Sequence, residues 1–589
     1  MIRKLVQQML TAQIFSALTV SVCLLIDNVM ISRFLGETAM ASYSLSNPVL
    51  LGIGAVASLL SAGIQVACSK SLGRGSQQET NAGYSTAIVL GAGISVFFTA
   101  LVLLFQSPLA SLLGAGREGK LFEETRGYLA GFSIGAPASM GALILVPFLQ
   151  MAGKSGLLIA SVLAMTVSDV ALDLLNVLVF HGGMFGIGLA SSLSYFIAVI
   201  TACFYFCSRK CVFCFSRKLI SRKKAAEILR GGIPAGFNMA SCVILVFVLN
   251  RLLQQSGGET AVAAYAVISG LGNAANCITT GIGGVSLTLS GILFNEEDRN
   301  GLRELIGTLC RYSAILGFVV GILLAVFSPF LVSIFITEEG TLQHTAVLGL
   351  RLFAAGMIPC CINNALKSLY QANGNEHLTE LISLAECAVF PALAAWLLGA
   401  AMGTDGVWLF FAAGEILALL MIGGLVIFLT RTAPWQNGAY LLLKKDFGVA
   451  EDHLLEASVR NLQEMNSFVK KTEQFCLSLG EAPQSSNHIA LCIEEVAGNV
   501  ILHGFPRDTR PHHLSIRLLQ KEKHWILRFR DDCQAFDPVH YVPADREDAL
   551  GLRLVLALTE KASYTYSLNM NNLTLRLRRN TLPPAENRQ

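Results

Sequence analysis

Charge is scarce in this sequence. Asp, Glu, Lys and Arg make up 14% of the 589 residues, against roughly 25% in soluble chains. Hydrophobic residues reach 53% and mean hydropathy is +0.57, which excludes a wholly water-soluble fold. A zinc-binding cysteine arrangement is also lacking, although there are 15 cysteines. Most lie inside apolar runs, where Cys behaves as a small hydrophobe. Cys203, Cys207 and Cys211 recur every four residues. On a helix that puts the outer two roughly 12 Å apart along the axis, too far for one zinc ion. The formal net charge is only +3, and no nucleic-acid partner is expected.

What is present is a succession of apolar runs up to about Arg431, followed by a charged, amide-rich segment with no run long enough to span. A span needs about 20 apolar residues. Six are expected at 12–33, 46–69, 84–106, 128–151, 157–180 and 185–208. Six more are expected at 233–254, 264–290, 312–336, 347–371, 377–400 and 405–430. Arg3 and Lys4 precede the first run, but its length and its Asp27 mark it as a permanent span and not a leader.

The two sets of six repeat one another. Gly36-Glu37-Thr38-Ala39-Met40-Ala41-Ser42-Tyr43 returns as Gly258-Glu259-Thr260-Ala261-Val262-Ala263-Ala264-Tyr265. Ser107-Pro108 returns as Ser328-Pro329, Gln150 and Gly153 as Gln371 and Gly374, and Gly183 and Gly186 as Gly403 and Gly406. Landmarks in one order at one spacing indicate a duplication. An even number of spans per copy makes the repeats parallel, with a shared cavity between two six-helix lobes. The expected domains are 1–215, 216–435 and 447–580. Lys and Arg concentrate after the sixth span, at Arg209, Lys210, Arg217, Lys218, Arg222, Lys223, Lys224 and Arg230. That side is expected to be cytoplasmic, and twelve spans return the C-terminus to it. The expected location is the plasma membrane, with lipid around the bundle.

An acid at mid-span costs at least about 2.5–3.5 kcal/mol to insert, so it marks function. The first copy has Asp27 in its first span and Asp169 and Asp173 in its fifth, followed by Asn176. Spacings of four and three put the last three on one helical face. Such a cluster binds Na⁺, or holds protons because neighbouring carboxylates resist joint ionisation. The second copy offers Glu386, Glu415 and the amides Asn238, Asn250, Asn273, Asn276, Asn363 and Asn364.

Asp27 with Ser32-Arg33-Phe34-Leu35-Gly36, Leu172-Asp173 with Asn176, Gly183–Gly188 and the twice-six repeat together resemble the multidrug and toxic compound extrusion transporters over about residues 1–435. The resemblance implies an antiporter that exports amphipathic, often cationic small molecules in exchange for H⁺ or Na⁺. Asp27 and Asp173 match the family's acids in the first and fifth spans, and Asp169 stands where relatives often carry Asn.

Beyond 447 the pattern changes to mixed helices and a largely antiparallel sheet, an α+β sandwich. Strands are expected near 453–460, over 514–520, 525–530 and 573–578, and helices to about 479, from Ser485 or Ser486 to 503, and over 550–561. Glu495, Asn499 and His503 recur every four residues, which suits a base beside an Mg²⁺ ligand. The runs EEVAGNVILHGF, RDDCQAFDP and ALGLRLV resemble, in order, the nucleotide-binding boxes of the anti-sigma-factor serine kinases, which have the histidine-kinase-like ATPase fold. The resemblance implies ATP with Mg²⁺: Glu495 as catalytic base, Asn499 on the metal, Asp531 reading adenine, and His503, Asp537 and Gly551 completing the site. Cys533 and Ala549 stand where the family usually has glycine. The leading expectation is therefore an efflux transporter with a fused regulatory domain that binds ATP or a small protein. The alternatives are a membrane-anchored serine kinase that uses the spans as a sensor, and a flippase for lipid-linked precursors.

Overall fold

Spans 1 to 6 are Ile2–Leu35, Glu37–Gly73, Gln77–Ala110, Lys120–Met151, Ser155–Phe180 and Gly183–Phe206. Spans 7 to 12 are Arg222–Gly258, Thr260–Asn295, Arg299–Ser333, Thr341–Ala372, Glu376–Met402 and Phe410–Thr430. The structure is a computed structural model that describes residues 2–208, 211–336, 340–434, 436, 438–444, 447–507, 512–541 and 550–580. Arg209, Lys210 and Ala549 lie outside them. Among the described residues, ten helices are long and apolar enough to cross a membrane unaided, and two bent pairs also qualify. One of the ten, Pro483–Arg507, instead packs against a sheet. Span 1, whose α-helical part has 29 residues, completes the twelve.

The repeated glycines fall at equivalent joints. Gly36 and Gly258 join the first span of each set to the second with φ of 86° and 63°, a left-handed region open to glycine without a Cβ clash. Spans 4 and 10 bend by 45° and 46° at Gly135 and Gly356. Spans 5 and 11 each loosen into a π turn, Asn176–Phe180 and Ala385–Val389.

Bare flanks such as Phe97, Leu104, Phe247, Phe330 and Leu420 face outward, as lipid contact requires. Where the two sets of spans meet, small residues let backbones touch, the usual basis of helix association in lipid. A Cβ on Gly63 of span 2 would lie 1.9 Å from the Ile228 carbonyl oxygen of span 7, and one on Gly232 would lie 2.0 Å from that of Leu59. Likewise Gly291 of span 8 faces Ser69 of span 2, and Gly281 faces Ile14 of span 1. One apolar cluster crosses this seam, joining Leu60, Ile64 and Cys68 to Ile282, Val285 and Leu289.

The C-terminal unit is a five-stranded antiparallel sheet in the order β1-β2-β3-β5-β4, with β1 Leu454–Val459, β2 Leu514–Gln520, β3 His524–Asp531, β4 Lys561–Ser567 and β5 Met570–Arg578. Helices Leu462–Ser478 and Pro483–Asn499 cover one face, burying Met465, Phe468, Ile489 and Ile493 against Ile516, Leu527 and Leu575. Here burial from water drives packing, at about 1.5–3 kcal/mol per large side chain. The second helix begins at Pro483 and not at Ser485 or Ser486, because Pro occupies its first turn. The last helix is shorter than expected, Leu550–Leu558, because Lys561–Ser567 pairs with β5 as a strand.

Candidate functional site

Asp27, Asp169 and Asp173 come together between spans 1 and 5. They are 4%, 4% and 0% exposed, and Asp27 faces both others. Carboxylates carry no donor when ionised, so a hydrogen bond between any two of them requires one to carry a proton. Tyr43, the last residue of the repeated octapeptide, borders the acids and packs edge to face with Tyr128 at 5.4 Å. Its counterpart Tyr265 packs instead on Phe410 at 6.0 Å, inside an apolar cluster. The repeat thus places a tyrosine twice and acids beside it once.

Asn176 stands apart from the acids in role. Its Nδ2 donates to Gly183 O at 3.1 Å and its Oδ1 accepts from Gly182 N at 3.1 Å. The amide braces the turn into span 6, and a Cβ on Gly186 would strike it.

A second buried polar cluster lies in spans 7 and 10 to 12. Lys367 Nζ sits 2.8 Å from Glu386 Oε2 and 3.3 Å from Asn238 Oδ1. Asn363 donates to Glu415 Oε2 at 2.8 Å, and Cys360 Sγ and carboxylate oxygens of Glu386 and Glu415 all lie within 4.8 Å of one another. Those three could group around a metal ion, but the Lys367 ammonium already neutralises Glu386. Sequence reasoning picked out Glu386, Glu415, Asn238 and Asn363 but missed Lys367. A lysine inside an apolar run, one span before an acid, was the available signal.

In the C-terminal unit, Glu495 is partly exposed and Asn499 exposed on one helix. The helix opens into a π turn at Val500–Gly504, so His503 no longer follows at the α-helical spacing. Gly551 lies directly on Glu495, where a Cβ would fall 1.9 Å from its Oε2. Asp537 caps a turn, accepting from Val539 N at 2.9 Å and His540 N at 3.3 Å. Asp531 is buried, which pushes its carboxyl above the ordinary range. Its Oδ1 accepts from Asn571 Nδ2 at 2.7 Å and Cys533 N at 3.1 Å. Cys533 is itself buried, its Sγ 3.1 Å from where a Cβ on Gly504 would stand. Reading an adenine requires a free acceptor in an open slot. Asn571 and the Cys533 amide already hold Oδ1 of Asp531, so an adenine would have to share this carboxylate with them.

A family model, MatE, matches residues 12–177 and 234–397, more than half of the chain. The chain belongs to the MatE family. It is accordingly a multi-pass membrane protein and an efflux transporter. The match runs from span 1 into span 5 and again from span 7 into span 11, and ends before the C-terminal unit. Protein DETOXIFICATION 42 of Arabidopsis thaliana is 22% identical over 356 residues, 60% of this chain and 67% of that protein. A MATE crystal structure in complex with MaL6 superimposes with a TM-score of 0.67 at 19% identity, covering 71% of this chain and 94% of the other. A MOP superfamily transporter from Pyrococcus furiosus, described as having a binding pocket of reverse polarity, gives 0.67 at 18% over the same shares. The outward-facing conformation of a multidrug resistance MATE family transporter gives 0.66 at 18% over the same shares. At these identities the likeness establishes the fold.

Proposed function

We propose that this MatE chain is a secondary antiporter that exports amphipathic, cationic small molecules, driven by H⁺ through Asp27, Asp169 and Asp173. The observation that carries the reading is the gathering of three buried carboxylates between spans 1 and 5. Packed in a low-dielectric bundle, they cannot all be ionised together. They take up protons when grouped and release them when spans 1 and 5 separate, which ties ion movement to lobe movement. Na⁺ is the competing ion, since the same oxygens would suit it if all protons left. The second lobe contributes a cavity wall of amides and the Lys367–Glu386 pair. The two lobes rock about the glycine seam, and the basic loop side is cytoplasmic. The C-terminal unit regulates this movement from that side.

Dye efflux from everted vesicles tests the reading. Asp27→Asn and Asp173→Asn are expected to abolish efflux driven by an imposed pH gradient, while the protein still inserts. Efflux that persists in both variants, or that follows only a Na⁺ gradient, would overturn proton coupling.

A further inference from the structure

We infer that the C-terminal unit is a clamp that fastens one lobe to the other across the end of the bundle on which it sits, and so holds that end shut. The inference rests on the reading of the chain as a transporter whose lobes must separate there. It names how the regulation is built.

The unit grips the second lobe through charge. β2 and β3 turn Arg517, Arg528 and Arg530 away from their own helices, toward the turn Glu296-Glu297-Asp298 between spans 8 and 9. Arg530 pairs with the Glu296 carboxylate, Arg528 donates to the Glu296 carbonyl, and Lys521 pairs with Glu297. Arg517 Nη1 meets Asp298 Oδ2 at 2.9 Å, while Asp298 Oδ1 caps span 9 by accepting from Gly301 N at 2.7 Å. The linker from span 12 lies on the same lobe, where Phe447 stacks on Phe294 at 5.0 Å.

The first lobe is gripped by the tip of the β4–β5 hairpin. Leu568 N donates to Met151 O at 2.7 Å, and Asn569 Nδ2 donates to Gly153 O at 2.7 Å. Gly153 has φ of 69°, and a Cβ there would lie 2.5 Å from Asn569 N, so the loop between spans 4 and 5 is shaped to receive the tip. Leu568 and Met570 enter the apolar cluster that crosses the seam, and they lie beside Leu5 of the first lobe and Leu289 and Ile292 of the second.

Both gripping turns hold non-glycine residues at positive φ: Leu568 at 58°, Asn569 at 59° and Glu297 at 57°. At Leu568 and Asn569 the two-residue turn between Ser567 and Met570 itself sets φ positive. Leucine is uncommon in such a turn, and here docking uses its amide and its side chain. Separation of the lobes at this end must break one grip or the other. A cavity of about 390 Å³ beside the charged grip, lined by Glu296, Asp298, Glu456, Arg517, Arg528 and Arg530, admits solvent. The pairs are therefore open to salt screening.

The test uses the full chain in nanodiscs, with spin labels attached through non-natural amino acids at Gln78 in the first lobe and His377 in the second, both exposed at this end. The wild type is expected to give one short interlabel distance. Arg528→Glu with Arg530→Glu, and separately Asn569→Ala with Leu568→Gly, are expected to raise the long-distance population on the order of tenfold, as loss of charge-assisted bonds would. Arg530→Glu alone should do so in part, and adding Glu296→Arg should restore the short distance, which misfolding could not. Distances unchanged in the charge-reversed and the hairpin variants would overturn the clamp. That result leaves proton-driven efflux untouched, because efflux is judged by Asp27→Asn and not by these labels.

Discussion

Replacing Lys367 with Met tests whether the second-lobe cluster is an ion pair held for structure. In the folded chain Lys367 Nζ lies 2.8 Å from Glu386 Oε2, with the two side chains 10% and 3% exposed. The substitution keeps nearly the same length and volume, so little packing changes. It leaves Glu386 beside Glu415, itself 4% exposed, with no cation between the two carboxylates and Asn238 Oδ1 with Cys387 Sγ in place of two donors. Removing one partner of a buried pair costs about 3–5 kcal/mol, because the other charge stays buried and uncompensated. Replacing both, as Lys367→Met with Glu386→Gln, removes the stranded charge and should cost roughly 1–2 kcal/mol, since buried pairs are close to neutral against uncharged groups of like shape. The double variant is therefore expected to be about 2–3 kcal/mol more stable than Lys367→Met alone. Reversible unfolding in mixed micelles, followed by tryptophan fluorescence, measures each variant. A double variant as unstable as Lys367→Met, or a single variant as stable as wild type, would refute the reasoning.

The seam makes a second prediction. Gly63→Val places a Cβ against the Ile228 carbonyl, where 1.9 Å is available, so spans 2 and 7 must part. It should destabilise the chain by about 1–3 kcal/mol and lengthen the 78–377 distance, whereas Gly93→Val, with nothing within 4 Å, should do neither. In the C-terminal unit, Cys533→Gly removes the buried sulfur beside Asp531. Calorimetric titration with Mg²⁺-ATP should then show tighter binding than in the unsubstituted chain. Equal affinity would mean that Cys533 is not what closes the slot.

The residues explain why some of this was legible in the chain and some was not. Glycines with one spacing announced the duplication, and they do sit at matched joints, because a positive φ is a local property that glycine alone meets cheaply. Apolar runs announced the spans, because a bilayer imposes length and composition on each helix separately. Asp27 and Asp173 were conspicuous for the same reason. Asn176 was misleading. It shares their helical face, but the π turn and Gly182 take up its amide, and no spacing rule reveals that. His503 fails likewise, since a helix that widens past Asn499 breaks the count of four.

By itself, then, the sequence determined a MatE bundle of two six-span sets, the acids that one set carries and the other lacks, and a separate α+β unit after them. These follow from local periodicity, composition and repetition. Only the tertiary structure decided that three carboxylates gather between spans 1 and 5, that Lys367 finds Glu386, and that Asn571 and Cys533 bond to Asp531. It also placed Arg530 on Glu296 and Asn569 on Gly153, partners 234 and 416 residues apart. Contacts of that separation depend on how whole helices and sheets pack, and no local pattern in the chain encodes them.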